Sequence, residues 1–181
     1  MNDKDELLEI INREGKVIGI APRGKVHGNP LLMHRVVHVL VFNKKGNLLL
    51  QKRSADKDVA PGKWDTSVGG HVDPGEGLIE AAEREMEEEL GIAKCKPQLL
   101  YTYMHTNSYE TELVYTYSCV YEGEILFNKQ EIDEVGLWDI RDIKNHIGKD
   151  IFSDNFEHEI STYLQFTGGE NNSGGRAGDI I

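Results

Sequence analysis

GHVDPGEGLIEAAEREMEEELGI, residues 70–92, is the stretch from which the rest of the chain can be read. Residues 78–90 read as one helix, stopped by Gly91, because a glycine just past the last turn takes the left-handed cap conformation without penalty. Placed at about 100° per residue, Ile79, Ala82, Met86 and Leu90 fall on one stripe, which should face a sheet. Glu85, Glu88 and Glu89 stand at i, i+3 and i+4 and so share a second, narrower face. Glu80, Glu83 and Glu87 take the remaining outward arc. Carboxylates gathered at that spacing repel one another unless a cation joins them. Mg²⁺ prefers carboxylate oxygens, keeps some of its waters and can bridge to phosphate, so it suits this face. Arg84, four residues before Glu88, can steady that carboxylate. Taken alone, the glutamate-rich run also fits a solvated acidic helix.

Outward from the helix the pattern is of strands. Residues 8–11 and 17–21, joined by Asn12 to Lys16, read as an N-terminal hairpin within residues 1–26. Residues 36–42 are apolar except for His38, as expected of a strand covered on both faces near the centre of a sandwich. A turn at 43–47 leads to a strand at 48–52, and a loop with Pro61-Gly62 leads to a short strand at 64–68 ending at Gly69-Gly70. Strands are expected again at 98–106, 113–121 and 135–140, then a helix at 154–166. From Thr167 to the last residue the Gly-rich run reads as a flexible tail. The expectation is an α/β fold: a single domain over residues 1–166 with one mixed sheet and helices on both sides.

At 181 residues the chain suits one well-buried domain. Its apolar content of 39% and charged content of 28% are ordinary for a soluble globular protein. No stretch approaches the roughly 20 apolar residues that a membrane span needs. The acidic start, Met1 to Glu6, does not resemble a secretory signal. Cys95 and Cys119 can form at most one bridge and sit in no Cys-x-x-Cys pair, so a reducing cytoplasm is the expected compartment. A net charge of −11 argues against a nucleic-acid polymer as partner. A small phosphorylated substrate would need positive charge supplied locally. Lys52, Arg53, Lys57 and Lys63 form one basic cluster, which reads either as an anion site or as a solvated loop.

Gly70, Glu76, Arg84-Glu85-Met86, Glu88-Glu89 and Gly91-Ile92 together resemble a complete Nudix box, G-x5-E-x7-R-E-U-x-E-E-x-G-U with U a bulky aliphatic residue. A chance match in a chain of this size is on the order of 10⁻⁶ or less. The resemblance implies a Nudix α/β/α sandwich and hydrolysis of a diphosphate linkage in a small substrate, such as a nucleoside diphosphate derivative. Glu85, Glu88 and Glu89 would then hold Mg²⁺ (or Mn²⁺), assisted by the carbonyl of Gly70 or Gly69, with residues 69–92 forming a loop–helix–loop braced by Glu76, Arg84 and Gly91. A metal-activated water would attack one phosphorus while the metal neutralises the leaving group. The general base varies in this family: a box glutamate such as Glu85 or Glu88 can serve, and so can a loop glutamate. Glu131 and Glu134 are the loop candidates here; an ordinary polar turn is the plainer reading of both.

A narrower likeness spans residues 27–70, which resemble isopentenyl-diphosphate isomerase of the same superfamily. That enzyme's metal site is similar to His27, His34, His71, Glu110 and Glu112, a donor set that would suit a second, transition metal such as Mn²⁺ or Zn²⁺. Its diphosphate-binding cations resemble Arg53 and Lys57, with Arg23 in the place of a further lysine. His38 reads as a hydrogen-bonded core residue. The isomerase's catalytic cysteine would stand two residues before His71, where this chain has Gly69, and a glycine cannot protonate an alkene. A hydrolase on an isomerase-like branch is therefore the expectation. Isomerase activity and a non-catalytic nucleotide-binding module are the rival readings, and the N-terminal hairpin is a candidate homodimer element.

Overall fold

The computed structural model describes residues 5–57 and 59–170 of the chain. Among these residues the strands join in one nine-stranded mixed sheet. At its centre lies β3 (His34–Phe42), apolar enough to be covered on both faces. It pairs parallel with β8 (Thr111–Val120) over the full register from His34↔Glu112 to Phe42↔Val120. It pairs antiparallel with β6 (Val68–His71), setting His38 opposite Gly69 and Val36 opposite His71. The hairpin β1 (Leu7–Ile11) and β2 (Val17–Pro22) joins β3 through Ile10↔His34. On the far side β4 (Leu48–Arg53) carries β5 (Trp64–Asp65) and β9 (Ile132–Trp138). The strand β7 (Gln98–Thr106) pairs with β8.

Alternation along β3 divides the core. Val37, Val39 and Val41 pack with Ala81, Ala82, Met86 and Leu90 of helix α2 (Leu78–Leu90). Leu40 instead joins Ile143 of α3 (Ile140–His146) and Phe156 and Ile160 of α4 (Asp154–Glu170). Each fully buried Val, Leu, Ile, Met or Phe side chain among these contributes roughly 1.5–3 kcal/mol of transfer free energy. This is the expected sandwich, with α2 bounded as predicted. Gly91 closes it in the left-handed conformation, φ 70°, its N–H donating to the Glu87 carbonyl.

Several local expectations need correction. Ile79 is 36% exposed and lies off the buried stripe, which uses Ala81 instead. The strand expected at 64–68 is two, because the chain crosses from β4 to β3: Ser67 Oγ accepts from Val41 N–H at 2.9 Å and donates to the Leu49 carbonyl, leaving Thr66 and Ser67 outside either ladder. A short helix α1 (Arg23–Val26) ends the hairpin segment. Helix α3, capped by the Asp139 side chain on Arg141 N–H, was not expected from sequence. Helix α4 continues four residues beyond 166, with Thr167 Oγ1 donating to the Tyr163 carbonyl, so the tail cannot begin at Thr167. Its remaining expected span, 171–181, lies outside the described residues, as do residues 1–4 of the hairpin segment.

Candidate functional site

The loop–helix–loop is locked by one guanidinium. Arg84 donates from Nε and Nη2 to the two oxygens of Glu76, 2.9 Å each, a bidentate pair stronger than two neutral hydrogen bonds. Its Nη2 also donates to the His71 carbonyl at 3.0 Å, and its Nη1 reaches Glu85 at 2.7 Å and Glu88 at 3.3 Å. The turn before the helix is closed by Asp73 N–H donating to Glu76 at 3.0 Å. Gly70 leaves room for the Glu85 carboxyl, which a Cβ there would overlap and force to shift.

The three box glutamates are not equivalent. Glu89 is buried, accepting from Gln51 Nε2 at 2.9 Å and Gly69 N–H at 3.3 Å. Burial, with Glu85 and Glu131 adding, raises its pKa well above the usual carboxylate range. Burial likewise pushes Glu85 up to about 7; Arg84 offsets part of this, while Glu88 and Glu6 add to it. The Glu88 side chain is 61% exposed, at the outer rim. Two carboxylates pushed toward neutrality beside each other are what a divalent cation would reverse.

Beside this lies a histidine–carboxylate cluster. His27 from the end of α1, His34 from β3 and His71 from β6 hold their ring centroids 5.2–5.6 Å apart. His27 Nε2 lies 3.2 Å from His71 Nε2, 3.6 Å from Glu110, and His34 Nε2 lies 3.7 Å from Glu112. Ligand atoms of His27, His34 and His71 lie within 4.8 Å of one another, and so do those of His34, Glu110 and Glu112. His34 is buried, and neither ring nitrogen has a hydrogen-bond partner among the described residues. That is costly unless a ligand satisfies it. Burial, reinforced by His71 and Arg23, pushes His27 down to about 3, keeping the ring neutral. Burial tends to raise Glu112, but neighbouring His34 outweighs it and holds that carboxyl low; Glu110, buried beside it, is pushed up. The donor set fits a divalent transition metal.

A cleft of about 600 Å³ connects both groups, lined among others by His71, Glu85, Glu89, Glu110, Glu112 and Glu131. Arg23, Arg53, Lys57 and Lys63 also line it. Each of these cations is tethered: Arg23 to Glu6 at 3.0 Å, Arg53 to Asp65 at 3.3 Å, Lys57 to Glu131 at 3.2 Å and Lys63 to Asp150 at 2.5 Å. The basic cluster thus divides, because Lys52 turns away toward Glu134, 4.0 Å distant, and neither of these two lines the cleft. Of the two loop candidates, Glu131 lines the cleft and Glu134 stands opposite Lys52 in the register of β9 on β4. Glu6, which accepts from His71 Nδ1 at 3.1 Å, and Gln51 were missed; neither belongs to a motif, and only tertiary contact brings them to the site.

An α/β/α sandwich with a glutamate helix and a cation-rimmed cleft defines a class of enzymes acting on diphosphates. The NUDIX domain model matches residues 32–160, and the chain belongs to that family of pyrophosphate-cleaving hydrolases. An isopentenyl-diphosphate Delta-isomerase of Halorhodospira halophila is 35% identical over 138 residues, covering 74% of this chain and 78% of that protein. The Nudix hydrolase YfcD of Escherichia coli strain K12 is 34% identical over 130 residues, 72% of each chain. The crystal structure of DR0079 from Deinococcus radiodurans has a TM-score of 0.75 at 25% identity, covering 87% of this chain and 98% of that one. Among the described residues no helix is long and apolar enough to cross a membrane.

Proposed function

We propose that this chain is a metal-dependent hydrolase that cleaves the diphosphate linkage of a small substrate such as a nucleoside diphosphate derivative. The observation that carries this is the complete box, with Glu89 buried and Glu85 part-buried on the cleft and Glu88 at its rim. In this reading those three, with the carbonyl of Gly70, hold Mg²⁺ or Mn²⁺. His27, His34, His71, Glu110 and Glu112 hold a second, transition metal. When bound, such ions polarise phosphoryl oxygens and activate water. The chain's own residues do the rest. Arg84 and Glu76 fix the helix against the loop, and Glu6 orients the His71 ring through Nδ1. Arg53, Lys57 and Arg23 grip the non-reacting phosphate. Glu131, next to Lys57 and within reach of Glu89's field, is the loop candidate for general base. We further place the protein in the cytoplasm as a homodimer; the edge strand β2, with Ile18 and Ile20 exposed, is the element two copies would share.

The second reading is a prenyl-diphosphate isomerase, favoured by the assembled histidine cluster and opposed by Gly69. Mass spectrometry of products, after incubation with Mg²⁺ or Mn²⁺ and a panel of diphosphates, separates the two. Cleaved phosphates are expected. Double-bond migration without cleavage would select the isomerase, and unchanged ligand would leave only a binding module.

A further inference from the structure

We propose that His38 contacts the substrate, donating a hydrogen bond from its Nε2–H to the diphosphate in the cleft. The inference rests on the hydrolase reading and adds a residue to it.

Three observations meet at this ring. First, its other nitrogen is committed: His38 Nδ1 lies 2.6 Å from Glu159 Oε2, on α4. Glu159 has no exposed surface, and its two oxygens also accept from Tyr101 Oη at 2.6 Å, Tyr103 Oη at 3.0 Å and Thr116 Oγ1 at 3.0 and 3.1 Å. Four side chains donating to one buried carboxylate favour its ionised form, and an ionised buried carboxylate needs a positive partner. Burial favours the neutral imidazole, but the Glu159 hydrogen bond and charge outweigh it and raise the His38 pKa.

Second, the free edge faces the site. His34, Val36 and His38 alternate onto one face of β3, and their register partners on that face are Glu112 on β8 and His71 and Gly69 on β6. His38 therefore stands two strand steps from His34, beside the same cleft, whose wall it forms.

Third, Gly69 uncovers the ring. A Cβ at residue 69 would stand 3.3 Å from His38 Cδ2 and 3.5 Å from Nε2, so any side chain would cap that edge. Gly69 has no left-handed φ that would demand glycine. What glycine provides here is space in front of His38 Nε2. A merely structural His–Glu pair would not need that opening.

The test uses the full chain with Mg²⁺ and methylenediphosphonate, a diphosphate whose bridging atom cannot be cleaved. With ¹⁵N-labelled histidine, the His38 Nε2 resonance should shift on saturation. His38→Asn keeps a donor toward Glu159 but removes the edge, and should weaken the probe at least tenfold, about 1.4 kcal/mol. Gly69→Ala, which covers the edge and leaves Glu159 alone, should weaken it in the same direction. An unmoved His38 resonance at saturation overturns the proposal, even if His38→Asn fails to fold. So does His38→Asn binding within twofold of wild type. Wild-type protein that binds no probe in Mg²⁺ overturns the diphosphate reading as well, which separates the two failures.

Discussion

His27 Nε2 and His71 Nε2 lie 3.2 Å apart, although 44 residues separate them in the chain. Two nitrogens bound to one ion at about 2 Å in tetrahedral geometry are separated by about 3.3 Å. The pair thus stands at the spacing a shared metal requires, with His34 and two glutamates around it. Protein purified without chelator is expected to carry Zn or Mn, lost in the His27→Ala/His34→Ala double mutant. Elemental analysis finding no transition metal in the wild type would refute this second site.

Glu85 and Glu89 should be the costliest carboxylates to neutralise. Glu89 is buried and Glu85 part-buried on the cleft, so Glu85→Gln or Glu89→Gln should lower kcat at least ~100-fold, about 2.7 kcal/mol of barrier. Glu88→Gln should also lower kcat well beyond threefold, but less than these, because Glu88 sits at the exposed rim and shares its charge with Arg84. Steady-state kinetics on all three variants checks the order. Glu88→Gln within threefold of wild type would remove it from the metal ligands.

The pH dependence of metal-free stability isolates Glu85. Its folded pKa of about 7 exceeds the ordinary 4.5, so between these values the folded protein keeps a proton that the unfolded chain has released. Its contribution to stability is therefore full below pH 4.5 and is lost as pH rises toward 7. His27, pushed down to about 3, acts with the opposite sign below 6.5, so the informative quantity is the difference between variant and wild type. In chelator, Glu85→Gln should gain Tm relative to wild type as pH is raised from about 5 to 7.5, and Mg²⁺ should narrow the gap. A Tm difference independent of pH would show that Glu85 titrates normally.

Lys57 should serve binding more than chemistry. If it holds the non-reacting phosphate equally in ground and transition states, Lys57→Ala raises KM about tenfold and leaves kcat within twofold. Arg53 is less clean a probe, since its Nε also donates to the Val59 carbonyl and shapes the loop. An unchanged KM would return Lys57 to a plain surface pair with Glu131.

What could be read from sequence divides along physical lines. The bounds of helix α2 were legible because periodicity, charge and a capping glycine agree there, although Ile79 was misplaced on its buried stripe. The histidine and glutamate set was legible only through family resemblance; nothing local to His27 or Glu110 says that they meet. Helix α3 escaped because its seven residues bury one side chain, Ile143, too few to make a periodic pattern. His38 was read as a satisfied core histidine, which it is through Nδ1. The exposure of its second nitrogen depends on the register that sets Gly69 opposite it, which no local sequence pattern encodes. Glu159 lies on a helix of weak amphipathic pattern, and no sequence signal pairs it with a histidine 121 residues away.

In the proposed hydrolysis, water attacks a phosphorus atom at the glutamate helix. Turnover of the diphosphate selected by the product panel, run in ¹⁸O-labelled water with Mg²⁺, tests it most directly. One ¹⁸O atom should appear in one of the two phosphate-bearing products, and Glu85→Gln should abolish the incorporation. Products without label, or a rearranged diphosphate with its linkage intact, would show that water does not attack phosphorus here.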